Sequence, residues 1–191
     1  MAMMRLTDDE KARIHEAALA AEARIQARFA LVIVPLSDRY LLFPVVWAAG
    51  IALFAGAVMA LLWPHLGLRM GILIEVLIFA GLALSFDWLP LRLALVPSRV
   101  KRDHARALAR HEFAARILGA REHRGGLIFF VSLGERYVEL IADRDLHARV
   151  GEEAWNKIVA DFVAAAKANR TADGFVAAAT ACADVLTAHK V

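Results

Sequence analysis

The acidic residues that follow the third predicted strand are the first candidates for chemistry. Asp143 and Asp145 come directly after that strand, and Glu122 lies in the loop before the second predicted strand. Carboxylate oxygens are the ligands that a hard cation such as Ca²⁺ prefers. These three residues therefore form a candidate calcium site. The alternative is that Asp143 caps the next helical turn and Asp145 is solvated, because the spacing lacks the alternating acids of an EF-hand loop.

Four arginines form a candidate anion-binding site. Arg136 and Arg144 lie at the two ends of the third predicted strand, and Arg121 and Arg124 precede the second. Guanidinium groups bind phosphate and carboxylate groups in a bidentate manner. We expect such a site only if the sheet brings these ends together, and otherwise the four side chains are solvated.

No catalytic residues are predicted. Among the seven histidines, no pair has the HExxH spacing of a zinc protease. Ser132 lacks a surrounding GxSxG motif, and Gly125-Gly126 precedes a strand instead of opening a helix, as a phosphate loop would. The single cysteine, Cys182, excludes an intrachain disulfide and a cysteine-based zinc site. Its place on an apolar helix face predicts a core residue.

A membrane hairpin accounts for the high apolar content, which is 60% of the chain. Leu41 to Trp63 is uncharged, and Met70 to Phe86 is apolar apart from Glu75. About 20 apolar residues in a helix cross the hydrocarbon core. Glu75 is either a proton- or ion-linked site or a carboxyl tolerated near the interface. The segment Asp87 to Val96 is predicted to be interfacial or a helix extension.

Small residues and flanking charges suggest how this hairpin packs and is oriented. Small side chains every four residues let another helix approach closely, either within the hairpin or in self-association. They are Ala48, Ala52, Gly56 and Ala60. Arginines precede the hairpin, and arginines and a lysine follow it, so the positive-inside rule places both termini in the cytoplasm. The net charge of +3 gives no reason to expect nucleic acid as a partner.

The segments before and after the hairpin together predict one small α+β domain. Thr7 and Glu10 form a capping box that opens a helix, and Phe29 to Val34 reads as a buried strand. Beyond the hairpin, a helix capped by Asp103 would reach Leu118. Strands follow at Leu127 to Leu133 and Arg136 to Ala142, joined by a type II′ turn at Gly134-Glu135, and then helices from Glu152 to Ala168 and from Thr171 onward. The helical crossover makes the first two strands parallel.

The stretch from Arg124 to His189 resembles the second half of the TPM domain. The likeness lies in the core strand with its GxLI pattern, the Ile-Ala-Asp after the third strand and the WxxIV helix. The opening helix and FALVIV strand resemble the start of the same family. The resemblance implies a three-layer α/β domain with a small mixed sheet and helices on both faces. It assigns residues 1–38 and 101–191 to this domain and residues 39–100 to the inserted hairpin with its interfacial segment.

The resemblance also implies two competing functions. Members of the family include phosphatases and proteins that bind calcium through acidic loop residues, so a calcium-dependent phosphatase is one expectation. However, Glu122-His123-Arg124 replaces the acidic-asparagine pair usual before the second strand. We therefore expect a non-enzymatic binding or assembly module that acts on another membrane protein, with the lipid bilayer as its other partner. Transport assistance through Glu75 is the third hypothesis.

Overall fold

The structure is a computed structural model that describes residues 6–25, 27–63, 65, 67–119 and 125–189. The chain divides into two compact units. Residues 38–101 form one unit, and the segments before and after them together form the other.

The first unit contains the two apolar helices. Helix α2 spans Leu42–Leu62 and helix α3 spans Leu68–Phe86, and both are long and apolar enough to cross a membrane. The two helices pack on each other. Most of their other side chains are exposed, whereas the helices of a soluble core would be buried. Asp87 to Val96 becomes a separate short helix, α4, over Leu89–Leu95.

The second unit is a three-layer α/β domain. Its helices are α1 (Asp8–Arg24), α5 (Ser98–Phe113, which belongs to this unit from Arg102 and is continued by a π-helical turn at Ala114–Leu118), α6 (Arg144–Val150), α7 (Glu152–Lys167) and α8 (Thr171–Ala188). The strands are β1 (Arg28–Val34), β2 (Gly126–Ser132) and β3 (Tyr137–Ala142), in the order β1-β2-β3. Strands β1 and β2 are parallel, as predicted, and β2 and β3 are antiparallel.

Side-chain alternation along the strands separates the two cores of this domain. On one face, Phe129 packs in edge-to-face contact with Phe162 and Phe175, in a core shared with α1, α6, α7 and α8. On the other face, Ile128 and Phe130 pack against α5 through its buried alanines, Ala105 and Ala109. All seven residues of β2 are buried because helices cover both sides of the sheet.

Two local predictions were wrong. Helix α5 begins at Ser98, so Asp103 lies inside it and does not cap it. Pro97 explains the earlier start, because proline lacks a donor but is well accepted at a helix N-terminus, and its carbonyl accepts the first helical hydrogen bond from Lys101. The β2–β3 connection is a four-residue loop, since Ser132 pairs with Tyr137.

Glycine is required in that loop for space and not for a positive φ. Arg136, with a φ of 53°, is the loop residue in the left-handed region, and Gly134 is not. Leu133 and Gly134 donate backbone hydrogen bonds to the carbonyls of Val34 and Pro35. A Cβ on Gly134 would lie 2.5 Å from Leu36 Cδ2 and 2.8 Å from the Pro35 carbonyl oxygen. The loop is therefore docked on the chain that leaves β1.

Candidate functional site

Asp143 is the N-cap of α6. Its Oδ1 accepts a hydrogen bond of 2.6 Å from the Arg144 backbone N–H, and its own N–H donates to the Gly126 carbonyl. Gly125 lies beside it with a φ of 66°, and a Cβ at that glycine would be 3.6 Å from Asp143 Oδ2. Asp145 is exposed in the first turn of α6. The capping role proposed for Asp143 is thus observed.

The predicted calcium site is only partly within the described chain. Glu122 lies outside the described residues. A calcium ion binds about six to eight oxygen ligands. Among the described residues, no three His, Cys, Asp or Glu side chains gather closely enough to hold a metal ion. Asp143 and Asp145 therefore do not form such a site by themselves, and the calcium site that includes Glu122 stays a prediction.

The four arginines of the predicted anion site are not brought together as a set. Arg121 and Arg124 lie outside the described residues. Arg136 lies in the loop before β3 and Arg144 opens α6 beyond the other end of that strand. Eight residues of extended chain span about 25 Å, so one anion cannot contact both Arg136 and Arg144. An anion site that combines Arg144 with Arg121 and Arg124 stays a prediction.

A polar cluster that the sequence analysis did not predict lies at the opposite end of the parallel strands. The Glu135 carboxylate accepts a short hydrogen bond from the Ser132 hydroxyl on one oxygen. Its other oxygen accepts from the Ser37 backbone N–H at 2.9 Å and from the Ser37 hydroxyl at 2.7 Å. Ser132 is fully buried. Glu135 therefore holds the β2–β3 loop against the segment that follows β1.

A second unpredicted cluster joins α5 to β3. Tyr137 and Glu139 point to the same face of β3, and the tyrosine hydroxyl donates to Glu139 Oε2 at 2.8 Å. Arg106 of α5 lies with its Nε 4.0 Å from Glu139 Oε1. Burial raises the pKa of the Tyr137 hydroxyl, and the hydrogen bond with Tyr137 raises the pKa of Arg106. The i, i+2 spacing of Tyr137 and Glu139 could have predicted from the sequence that they share a face of β3. Only the tertiary structure shows that Arg106 lies beside them.

Glu75 lies in the packed face of the two apolar helices. A Cβ on Gly56 would be 3.0 Å from Glu75 Oε2 and 3.1 Å from its Cδ, so the glycine of α2 makes room for the carboxyl group of α3. Ala48 and Ala52 are buried along the same line of small residues, whereas Ala60 is exposed. Of the predicted stripe, Gly56 thus packs against α3 within the hairpin. Self-association through it stays a prediction.

An open groove of about 280 Å³ runs between α7 and α8. Its floor is apolar, with Phe162 and Ala178, and charged residues lie at its rim, among them Asp161 and Arg170. Gly174 keeps the two helices close, since a Cβ there would lie 3.0 Å from the Ala165 Cβ.

The protein is a small mixed sheet enclosed by helices, with two long apolar helices inserted between strands β1 and β2. The family model of the TPM domain matches residues 90–185. The match covers half of the chain, and the chain belongs to the TPM domain family. Strand β1 lies outside the matched residues, yet it completes the sheet. No curated protein and no solved structure matches the chain.

Proposed function

We propose that this protein is a two-pass membrane protein with both termini on the cytoplasmic side of a bacterial inner membrane. The support is the pairing of β1 with β2, which precede and follow the apolar hairpin and share one ladder. Strands that are hydrogen-bonded to each other lie on the same side of a bilayer, so the chain between them crosses an even number of times. The excess of arginine outside the hairpin favours the cytoplasmic side.

The function that we propose for the domain is non-enzymatic binding or assembly, directed at another membrane protein. The observation that carries the proposal is the insertion of the apolar hairpin between neighbouring strands of the sheet. A domain held by two connections to its anchor stays at the membrane surface, where a partner in the same membrane is present at high effective concentration. The capping role of Asp143 agrees with a structural use of that carboxylate.

Site-specific photo-crosslinking in native membranes tests this function. A photoreactive amino acid is placed at Ala177 on the rim of the groove, at Ala107 on α5 and, for comparison, at Thr180 of α8, which does not line the groove; all three positions are exposed. We expect one adduct of defined mass at one or two of these positions, in an amount comparable with the protein itself. Equal labelling of many proteins at every position would contradict a specific partner.

A labelling experiment tests the proposed topology separately. Thr7 and Thr187 are both exposed and are replaced by cysteine one at a time. Intact and inverted vesicles that contain each variant are then treated with a membrane-impermeant maleimide. Native Cys182 is fully buried, so it contributes little background. Both positions should react only in inverted vesicles. Reaction of the two positions from opposite sides would refute an even number of crossings.

A calcium-dependent phosphatase is the alternative function. It is favoured by membership of the family together with the position of Asp143, which lies beside Gly125, a residue close to Glu122 in the sequence. Purified protein would hydrolyse a generic phosphate ester in the presence of Ca²⁺. Asp143→Asn, which retains a capping oxygen, should then lose activity while remaining folded. Turnover that is unchanged in Asp143→Asn, or absent in the native protein, would exclude this function.

A further inference from the structure

The helical layers on the two faces of the sheet carry opposite charge. Helix α5 has five basic and two acidic side chains, and it alone packs on its face among the described helices. The four helices on the other face, α1, α6, α7 and α8, carry eleven acidic and seven basic side chains. The α/β domain therefore presents one basic and one acidic layer, although the net charge of the whole chain is only +3.

The basic charge of α5 is concentrated in a stripe of three arginines. Arg102, Arg106 and Arg110 recur every four residues, so they lie on one helical face, and all three are exposed. Neither Arg102 nor Arg110 forms an ion pair with the described residues. Arg106 forms an ion pair with Glu139, in which the Arg106 Nε lies 4.0 Å from Glu139 Oε1. We call these three residues the arginine stripe. The guanidinium groups of Arg102 and Arg110 are available to an external anion, whereas that of Arg106 also interacts with Tyr137 and Glu139.

The position of α5 in the chain suggests which anion this is. Helix α4 ends at Leu95, and α5 begins at Ser98, so only two residues separate the apolar part of the chain from the helix that bears the stripe. An extended residue spans at most about 3.6 Å, which keeps the start of α5 close to the segment it follows. Basic residues next to a membrane segment are attracted by the negative surface of a leaflet rich in anionic lipids.

We propose that the arginine stripe binds the phosphate groups of anionic phospholipids, so that the α5 layer docks on the surface of the membrane. The inference rests on the membrane location proposed above. Arginine suits this role because its planar fork binds phosphate oxygens in a bidentate manner and it remains charged. The acidic helices of the opposite layer would be repelled by the same surface, which favours docking through α5.

The expected preference of the arginine stripe for an anionic membrane follows from its number of arginines. Each basic residue near an anionic surface favours docking about fivefold, so three give about a hundredfold preference. Asp103 lies within the same helix, and Glu139 lies beside Arg106, so both lower this value. Loss of two arginines should leave about a fivefold preference.

Arginine footprinting of the full chain in lipid nanodiscs tests the proposal. The protein is reconstituted in phosphatidylcholine, in phosphatidylcholine with phosphatidylglycerol, or in phosphatidylcholine with glycerol phosphate dissolved in the buffer. Phenylglyoxal modification is followed by mass spectrometry at Arg102 and Arg110, with exposed Arg149 of α6 as the internal reference. We expect modification of the stripe to slow severalfold or more with phosphatidylglycerol only, and about 0.5 M salt to reverse the effect.

Matched variants identify the residues responsible. Arg106→Gln with Arg110→Gln should remove most of the protection of Arg102. Lys157→Gln with Lys167→Gln, which removes the same charge from exposed positions of α7, should leave it intact. Equal rates in the neutral and anionic nanodiscs, or equal effects of the two double variants, would overturn the proposal. Protection by dissolved glycerol phosphate alone would overturn it in favour of a soluble phosphate ligand. Failure of the chain to enter nanodiscs would overturn the membrane location itself.

Discussion

The Glu135 cluster makes the sharpest prediction about what holds the domain together. One oxygen of Glu135 accepts from the buried Ser132 hydroxyl and the other from the Ser37 N–H and hydroxyl. Glu135→Ala leaves the hydroxyl of Ser132, which is 0% exposed, without this acceptor. An unsatisfied buried hydroxyl costs about 1–3 kcal/mol. Ser37 is only partly buried, so water replaces much of its bonding, and we expect a total loss of about 2–3 kcal/mol in the free energy of unfolding.

Cys182 supplies the assay. It is the single cysteine of the chain, its side chain is fully buried in α8, and burial raises the pKa of its thiol to about 12. A thiol reagent at neutral pH therefore reacts only when the domain opens, and the labelling rate reports the free energy of opening. Measurements in detergent at increasing urea concentrations would compare native protein with Glu135→Ala. Glu153→Ala, at an exposed carboxylate of α7, is the control and should change the free energy by less than about 0.5 kcal/mol.

A double-mutant cycle makes this prediction specific to the contact. Ser132→Ala removes the buried hydroxyl, so in the Glu135→Ala background it should restore about 1 kcal/mol instead of adding a further loss. Additive losses, or a change for Glu135→Ala as small as that for Glu153→Ala, would refute the argument that Glu135 satisfies the buried serine.

Of three further predictions, two use the same labelling assay and the third uses circular dichroism. Asp143→Ala should lose about 1 kcal/mol because the N-cap of α6 loses its acceptor, while Asp143→Asn should lose much less; equal losses would contradict the capping role. Phe129→Ala should lose about 3–5 kcal/mol, since Phe129 contacts Phe162 and Phe175 in the core, whereas Leu19→Ala at an exposed position of α1 should stay within about 0.5 kcal/mol. The raised pKa of Cys182 means that the unfolded chain loses the thiol proton first, so stability should fall as the pH rises from 9 towards about 12. Cys182→Ala, followed by circular dichroism, should show a smaller fall over that range, and an unchanged slope would contradict it.

The apolar hairpin and the strands were predictable from the sequence because their signals are local. Two uncharged or nearly uncharged runs predict two long apolar helices, and the structure has them at Leu42–Leu62 and Leu68–Phe86. The parallel pairing of β1 with β2 followed from the helical crossover, and the alternation in β3 correctly separated Val138 and Leu140 from Tyr137 and Ile141. The capping box at Thr7 and Glu10 is present in the structure for the same local reason.

The wrong predictions share a physical cause. Gly134 suggested a turn with positive φ, but the loop is shaped by its contact with Pro35 and Leu36. These two residues precede the hairpin in the sequence, whereas the loop follows it. Asp103 resembled a helix cap, yet Pro97 allowed α5 to start earlier and to continue through it. In both cases a contact or a neighbour outside the local motif decided the backbone.

The sequence by itself determined most of the elements of this protein, its two apolar helices and the family resemblance, because periodicity, chain length and composition act within a segment. The tertiary structure alone decided which polar groups meet. It brought Glu135 to Ser37, Arg106 to Tyr137 and Glu139, and Glu75 to Gly56, while it kept Arg136 away from Arg144. Side-chain contacts between distant segments depend on register and on the packing of layers, and neither is written in the spacing of residues along one element.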